Sequence, residues 1–333
     1  MSEALLAYAN SLAGKIDAII NDVVRGDERS LYDASMHLIR AGGKRLRPLL
    51  VVLSARIFGL GEELALYPAA SVEILHNFTL IHDDIMDRDE FRRGVPTVHK
   101  VYGEAMAILA GDLLFAKSYE ALLKLADYGI PSDRLIKALK ELTWAAITVA
   151  EGQALDMEFE RRTDVTIDEY LRMVFKKTAA LFKASAYIGA VIAGADEGSL
   201  ERISNFAKYI GIAFQIRDDE LGLVGDEKVL GKPIYSDLRE GKKTLPVIYA
   251  LNNTSEQSKK FILNVLGNRN ACVDDLRRAA ELIIESGALE YSNKVAEEFL
   301  SKGLALIEDI KTNDIKAKEM IKDFALFLTR RYY

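Results

Sequence analysis

The stretch LIHDDIMD carries three closely spaced aspartates, Asp83, Asp84 and Asp87, and the paired arginines Arg92 and Arg93 follow within six residues. On a helix, positions i and i+4 share a face and i+1 lies about 100° round, so Asp83 and Asp87 project together with Asp84 beside them. Carboxylates so placed repel one another unless a cation stands between them. The preceding run ILHNFTLI is largely apolar, which predicts a helix buried up to its acids and favours a metal site over a solvated helix end. Ligation by oxygen alone suits a hard ion such as Mg²⁺ better than zinc or copper.

A second acidic pair, Asp218 and Asp219, ends another apolar helix, FAKYIGIAFQIRDD. Two acid-tipped helices facing each other can clamp several Mg²⁺ ions. Mg²⁺ is usually held by one or two carboxylates together with substrate phosphates, so the pattern implies a diphosphate. Basic residues gather in GGKRLRP (42–48), RRG (92–94), FKKT (175–178) and GKPIYSDLREGKKT (231–244). In the first cluster the paired glycines allow close backbone approach, and arginine beside lysine suits phosphate recognition by fork and point charge. There are more basic groups than one metal-held diphosphate needs, which implies a second diphosphate bound without metal.

These side chains need a helical frame. Apolar residues recur at three and four positions almost throughout, as in LIKALKELTWAAITVAEGQALDMEF, without sustained alternation, so the fold expected is all-α with about a dozen helices. Pro48, Pro68 and Pro131 are expected in first turns, and Thr166-x-x-Glu169 and Thr254-x-x-Gln257 read as capping boxes. No linker, repeat or charge block divides the chain, so residues 1–333 are expected to form a single domain. The longest segment that does not read as a clean helix, residues 222–246, is expected to be functional. A net charge of −6 argues against a general hold on nucleic acid. The N-terminus lacks a basic region followed by an apolar run, and the apolar stretch ASAYIGAVIAGA is too short for a membrane span. Cys272, the lone cysteine, excludes an internal disulfide and a thiolate zinc site, in keeping with a reducing, cytoplasmic setting.

Six motifs in order, GGKRLRP, LIHDDIMD with RRGVPT, GQALDMEF, FKKTAALF, FQIRDDELG and GKPIYSDLREGKKTLP, make the chain similar to the trans-type isoprenyl diphosphate synthases over nearly its whole length. The resemblance implies a helical bundle around a central cavity, the isoprenoid synthase type I fold, and a homodimer. It implies that an allylic diphosphate ionises and that its carbocation is attacked by isopentenyl diphosphate. By motif, Asp83, Asp87 and Asp218 would hold Mg²⁺, three ions per site with Mn²⁺ as a substitute, supported by Asp84 and Asp219. Arg92, Lys177, Lys232 and Lys242 would neutralise the allylic diphosphate. Lys44, Arg47, His76 and Arg93 would bind isopentenyl diphosphate. Thr178 and Gln215 would line the space where the cation forms, with Phe214, Ile212 and Leu80 as dry walls. One departure stands out: where the family's second motif often ends in an acid, this chain has Gly222.

Product length is read from the helix that ends in Asp83. Phe78 and Thr79 stand at i−5 and i−4, with Leu75 at i−8. A lone aromatic at i−5 resembles producers of geranylgeranyl diphosphate, notably the archaeal type, with farnesyl diphosphate as the alternative product. Rival readings fit less well. A di-iron bundle needs two Glu-x-x-His pairs, and only Glu73 with His76 supplies one. A class I terpene cyclase has no use for GGKRLRP, and a silent partner subunit is expected to lack acids of the first motif. His82 is read as a residue that orients a neighbouring carboxylate.

Overall fold

The structure, a computed structural model, describes residues 2–225 and 234–329. Lys232 therefore lies outside the described residues. Helix α1 (Glu3–Val23) is followed by α2 (Arg29–Arg40), α3 (Leu46–Ile57) and α4 (Glu62–Asp87). A short hairpin, β1 (Phe91–Arg92) and β2 (Val95–Pro96), leads into α5 (Val98–Tyr102), α6 (Glu104–Leu123) and α7 (Ser132–Glu160). Then come α8 (Ile167–Val174), a π-turn (Phe175–Ala179), α9 (Ala180–Ala193) and α10 (Glu197–Val224). The last helices are α11 (Ser236–Glu240), α12 (Leu245–Asn253), α13 (Glu256–Val265), α14 (Val273–Glu285), α15 (Ala288–Glu308) and α16 (Ile315–Thr329).

The core is built where helices are apolar on more than one side. In α9 nearly every residue from Ala180 to Ile192 is buried, and its small residues let neighbouring backbones approach. A Cβ on Gly189 would lie 2.2 Å from the carbonyl oxygen of Val51 on α3, so α3 and α9 pack with no room for a side chain there. Helix α4 has the length and composition of a membrane-crossing helix, yet 67% of its most apolar window is buried inside the bundle. It is a core helix whose C-terminal turn delivers the acids.

Two local expectations need correction, and one short element was not foreseen. Pro68 lies inside α4 instead of in its first turn, because the helix starts six residues earlier at Glu62. Helix α13 is capped by Ser255, whose side chain accepts from the Ser258 backbone N–H, so Thr254 and Gln257 form no box. The hairpin was invisible to periodicity, since a ladder pairing only Phe91 with Pro96 and Arg92 with Val95 is too short to show a period of two. Its turn places Arg93 at φ 55° and Gly94 at φ 77°, the left-handed pair of a tight two-residue hairpin. The Thr166–Glu169 capping box is present on α8.

Candidate active site

The C-terminal turns of α4 and α10, with α7, the π-turn and the segment after α11, enclose a cavity of about 600 Å³. One wall is carboxylate-rich. Asp83 and Asp87 both line it from α4, and Asp218 and Asp219 line it from α10. Lysines stand between the acids. Lys177 Nζ lies 3.4 Å from Asp83 and 2.7 Å from Asp156, and Lys242 Nζ lies 2.9 Å from Asp156, 3.1 Å from Asp87 and 2.7 Å from Glu160. Burial works against each of these charges, but the partners prevail. Asp156 is held down to about 2 by Lys177 and Lys242, Asp83 is held below its ordinary range, and both lysines are held well above theirs. Asp87 is pushed up instead, first by burial and then by its i−4 neighbour Asp83.

Arg92 closes the near end. It donates to Asp84 through Nε and to Asp89 through NH2 at 3.1 Å, and NH2 lies 3.6 Å from Asp83. Asp84 is fully buried, and burial pushes it up to about 7 against the pull of Arg92. Its Oδ2 has no hydrogen-bond partner. The i+1 geometry that set Asp84 beside its neighbours turns it inward, behind the wall.

The opposite wall is guanidinium-rich and short of carboxylates. Arg47 stacks on the Phe182 ring, with 4.5 Å from Cζ to the centroid, and its NH1 lies 3.0 Å from His76 Nε2. Burial, together with the fields of Arg47, Arg93 and Arg92, keeps His76 far below its usual range. A neutral His76 therefore accepts this hydrogen bond. Burial also pushes Arg47 down to about 10, and its Nε is buried without a partner. Arg93 donates through NH1 to the carbonyls of Leu38 at 2.8 Å and Gly42 at 2.5 Å, and to Asn77 Oδ1 at 3.2 Å. Gly43, at φ 140°, admits this guanidinium, since a Cβ there would sit 3.0 Å from Arg93 Cζ. Lys44 is exposed and does not line the cavity. Arg45 is buried in ion pairs with Asp17 and Glu73, a packing role within the same motif.

Between the walls runs a chain of hydrogen bonds. Thr178 Oγ1 donates to Gln215 Oε1 at 2.7 Å, Gln215 Nε2 donates to Asp219 Oδ1 at 2.7 Å, and Tyr170 OH donates to Asp219 Oδ2 at 2.6 Å. Asp219 is buried, which pushes it up to about 8, and both its oxygens already accept. It thus fixes which way the Gln215 amide points. The π-turn brings both Lys177 and Thr178 to the cavity, a common use of such turns at functional sites. Helix α7 approaches so closely that a Cβ on Gly152 would lie 2.2 Å from the Lys177 backbone nitrogen.

The apolar end of the cavity carries Phe78, Thr79, Leu80 and Phe214, whereas Leu75 and Ile212 are buried elsewhere in the core and do not line it. The Phe78 ring stands edge-on to Phe115, centroid to centroid 5.4 Å, and to His82 at 4.9 Å. His82 does not orient Asp83. Its Nε2 contacts the Ile108 carbonyl at 3.1 Å, and its ring packs on Gly111 of α6. Sequence reasoning passed over Asp156, Tyr170 and Asp237, which all line the cavity. Asp156 had a usable signal, because it stands four residues after Gly152 on the buried face of α7.

Among the described residues, no three His, Cys, Asp or Glu side chains already stand close enough to hold one metal ion. The donor chemistry nonetheless fits a hard cation. Asp83, Asp87 and Asp218 offer only oxygen, and the acids of the first cluster are now held apart by lysine ammoniums that a divalent cation with its diphosphate can replace.

A helical bundle whose cavity sets acid-tipped helices opposite a buried arginine cluster defines a prenyl-transferring synthase. The sequence profile of the polyprenyl synthetase family matches residues 28–283, and the chain belongs to that family. It is a prenyltransferase. It is 47% identical to a geranylgeranyl diphosphate synthase of Sulfolobus acidocaldarius over 97% of this chain and 98% of that protein. It is 45% identical to a geranylfarnesyl diphosphate synthase of Aeropyrum pernix over 95% and 99% of the two chains. A polyprenyl synthase of Caulobacter crescentus, solved with calcium and isoprenyl diphosphate, superposes with a TM-score of 0.90 at 35% identity, covering 98% of this chain and 97% of that one.

Proposed function

We propose that the cavity condenses isopentenyl diphosphate with dimethylallyl, geranyl and farnesyl diphosphates, and that geranylgeranyl diphosphate is the main product. The observation that supports this is a cavity with two walls of different design, one of acids paired with lysines and one of buried arginines around a neutral histidine. In the carboxylate-rich wall, Asp83, Asp87 and Asp218 are the residues that would hold Mg²⁺, with Asp84 and Asp219 behind them. When bound, the divalent ions neutralise charge on the allylic diphosphate as its carbon–oxygen bond breaks. Lys177, Lys242 and Arg92 then turn from the acids to the leaving diphosphate, where charge grows during ionisation, so they favour the transition state over the ground state. Arg47, His76 and Arg93 hold isopentenyl diphosphate by positive charge alone, and Lys44 reaches it from the rim.

Thr178 and Gln215 present oxygen atoms toward the allylic carbon, and Asp219 holds the Gln215 carboxamide in that orientation. Phe214 and Leu80 keep water from the cation. The departing diphosphate takes the last proton. Phe78 sets product length: it stands about one turn before Asp83, so a chain growing along α4 meets its ring. Thr79 leaves space beside that ring, and Leu75 backs the floor from the core. The Aeropyrum relative supports a product one isoprene unit longer as the second reading.

The chain is read as a single cytoplasmic domain that works as a homodimer. Exposed Leu109 and Leu123 on α6 and Ile147 on α7 support an apolar face between two subunits. The test of product length is Phe78→Ala. Chromatography of dephosphorylated products should show longer chains than the wild type from farnesyl diphosphate and isopentenyl diphosphate. A stably folded variant with an unchanged product removes Phe78 from the mechanism.

A further inference from the structure

Arg93 reaches the cavity from the hairpin turn, but what holds its guanidinium lies behind the cavity wall. Three acceptors meet its NH1: the carbonyls of Leu38 and Gly42 and the carboxamide oxygen of Asn77. Asn77 stands on α4, one residue after His76, and is wholly buried without lining the cavity. Its other end is equally engaged. Nδ2 donates to the backbone carbonyl of Glu73 at 2.8 Å and to Glu73 Oε1 at 3.1 Å. A carbonyl and a carboxylate only accept and a guanidinium only donates, so the carboxamide has one orientation: nitrogen to Glu73, oxygen to Arg93.

Glu73 is itself buried, and its Oε1 lies 3.8 Å from Arg93 NH2. A carboxylate that near can draw the guanidinium into a buried ion pair. Two neighbours hold it back. Arg45 NH1 donates to the same Oε1 at 2.8 Å, with Arg45 tied in turn to Asp17 of α1 at 2.9 Å, and Asn77 Nδ2 stands at 3.1 Å. The carboxamide is a neutral spacer between a buried acid and an arginine of the cavity.

We propose that Asn77 is a positioning residue for isopentenyl diphosphate: its oxygen fixes the plane of the Arg93 guanidinium, and its nitrogen keeps Glu73 from pairing with that guanidinium. Bidentate recognition of phosphate needs the planar fork in one orientation, and a guanidinium already paired with a carboxylate has less charge to offer an anion. Asn77 acts through Arg93 and does not meet the substrate itself. The inference rests on the reading of Arg93 as part of the metal-free site and deepens it.

The test is a double-mutant cycle on steady-state kinetics, with the two substrates varied separately. Arg93→Ala should raise KM for isopentenyl diphosphate by about tenfold or more, the loss expected when a charged hydrogen-bonding partner is removed; an unchanged KM overturns the reading of Arg93 itself, and this inference with it. Asn77→Leu, close in size but without the amide, should raise the same KM by about fivefold or more and leave that for the allylic diphosphate within about twofold of the wild type. Asn77→Ser, too short to bridge both partners, should do the same. In the Arg93→Ala background neither change at position 77 should raise the constant further. Suppose that Arg93→Ala has its effect but the position 77 variants only lower the melting temperature, raise both constants equally, fail to fold, or still raise KM for isopentenyl diphosphate when Arg93 is absent. Any of these results makes Asn77 a packing residue, and this inference alone fails.

Discussion

The two walls of the cavity solve opposite electrostatic problems. On the lysine–aspartate wall each charge has a partner: Asp156 bridges Lys177 and Lys242, and Asp83 and Asp87 complete the set. On the arginine wall, Arg47 contacts a neutral histidine and an aromatic ring, feels Glu73 and Asp218 only through their fields, and its Nε has no hydrogen-bond partner. Compensated charge can be rearranged when a metal-bound anion arrives, whereas uncompensated buried charge waits for the anion itself. The contrast supports a metal-dependent diphosphate on one side and a metal-free one on the other.

The largest test of that contrast removes the metal. Asp83→Ala or Asp218→Ala should lower kcat by roughly 10²–10³, as loss of a charge-stabilising group typically does, without altering the far-ultraviolet circular dichroism. Excess EDTA should abolish turnover, and full activity in EDTA would dissolve the distinction between the walls.

Next in size is Asp156→Asn, which removes the carboxylate that Lys177 and Lys242 share while leaving them Asp83, Asp87 and Glu160, and should destabilise the protein by about 1–3 kcal/mol at pH 7, read from urea unfolding. Asp156 is held near 2 in the fold against an ordinary 3.8, so its carboxylate form is the one that folding favours. Its contribution is full above about pH 4 and falls away as pH drops toward 2. The gap between wild type and variant should therefore be narrower at pH 3 than at pH 7. An equal gap at both would mean that the loss comes from packing.

The smallest effect sharpens the comparison by substrate. Arg47→Ala should raise KM for isopentenyl diphosphate by about tenfold or more with little change for the allylic substrate, whereas Lys177→Ala should act mainly on the allylic side. Equal changes in both constants for both variants would show that the walls do not divide the substrates.

Much of this was legible in the residue string for a simple reason. Helical periodicity is local, so the all-α class and the shared face of Asp83 and Asp87 follow from spacing alone, and the apolar runs before each acid pair announce buried helix ends. Local signals failed where two elements compete for a residue. Asp84 stands beside Asp83 by spacing, yet only the folded hairpin shows that Arg92 turns back onto it. His82 reads as a partner of Asp83 by adjacency, yet α6 claims its ring.

What the chain alone determined is therefore what lies within one helical turn: helix class, the acid-tipped ends, the arginine pair that follows the first of them, and the lone Phe78 before the acids. Tertiary structure decided which charges meet. Lys242 reaches Asp87 from the far side of the sequence, Asp156 arrives from α7 to hold the two lysines, and Asp237 enters the space that Gly222 leaves. Such encounters depend on how helices distant in sequence cross, and Coulomb energies in a buried site change steeply over a few ångströms, a scale that spacing along the chain does not encode.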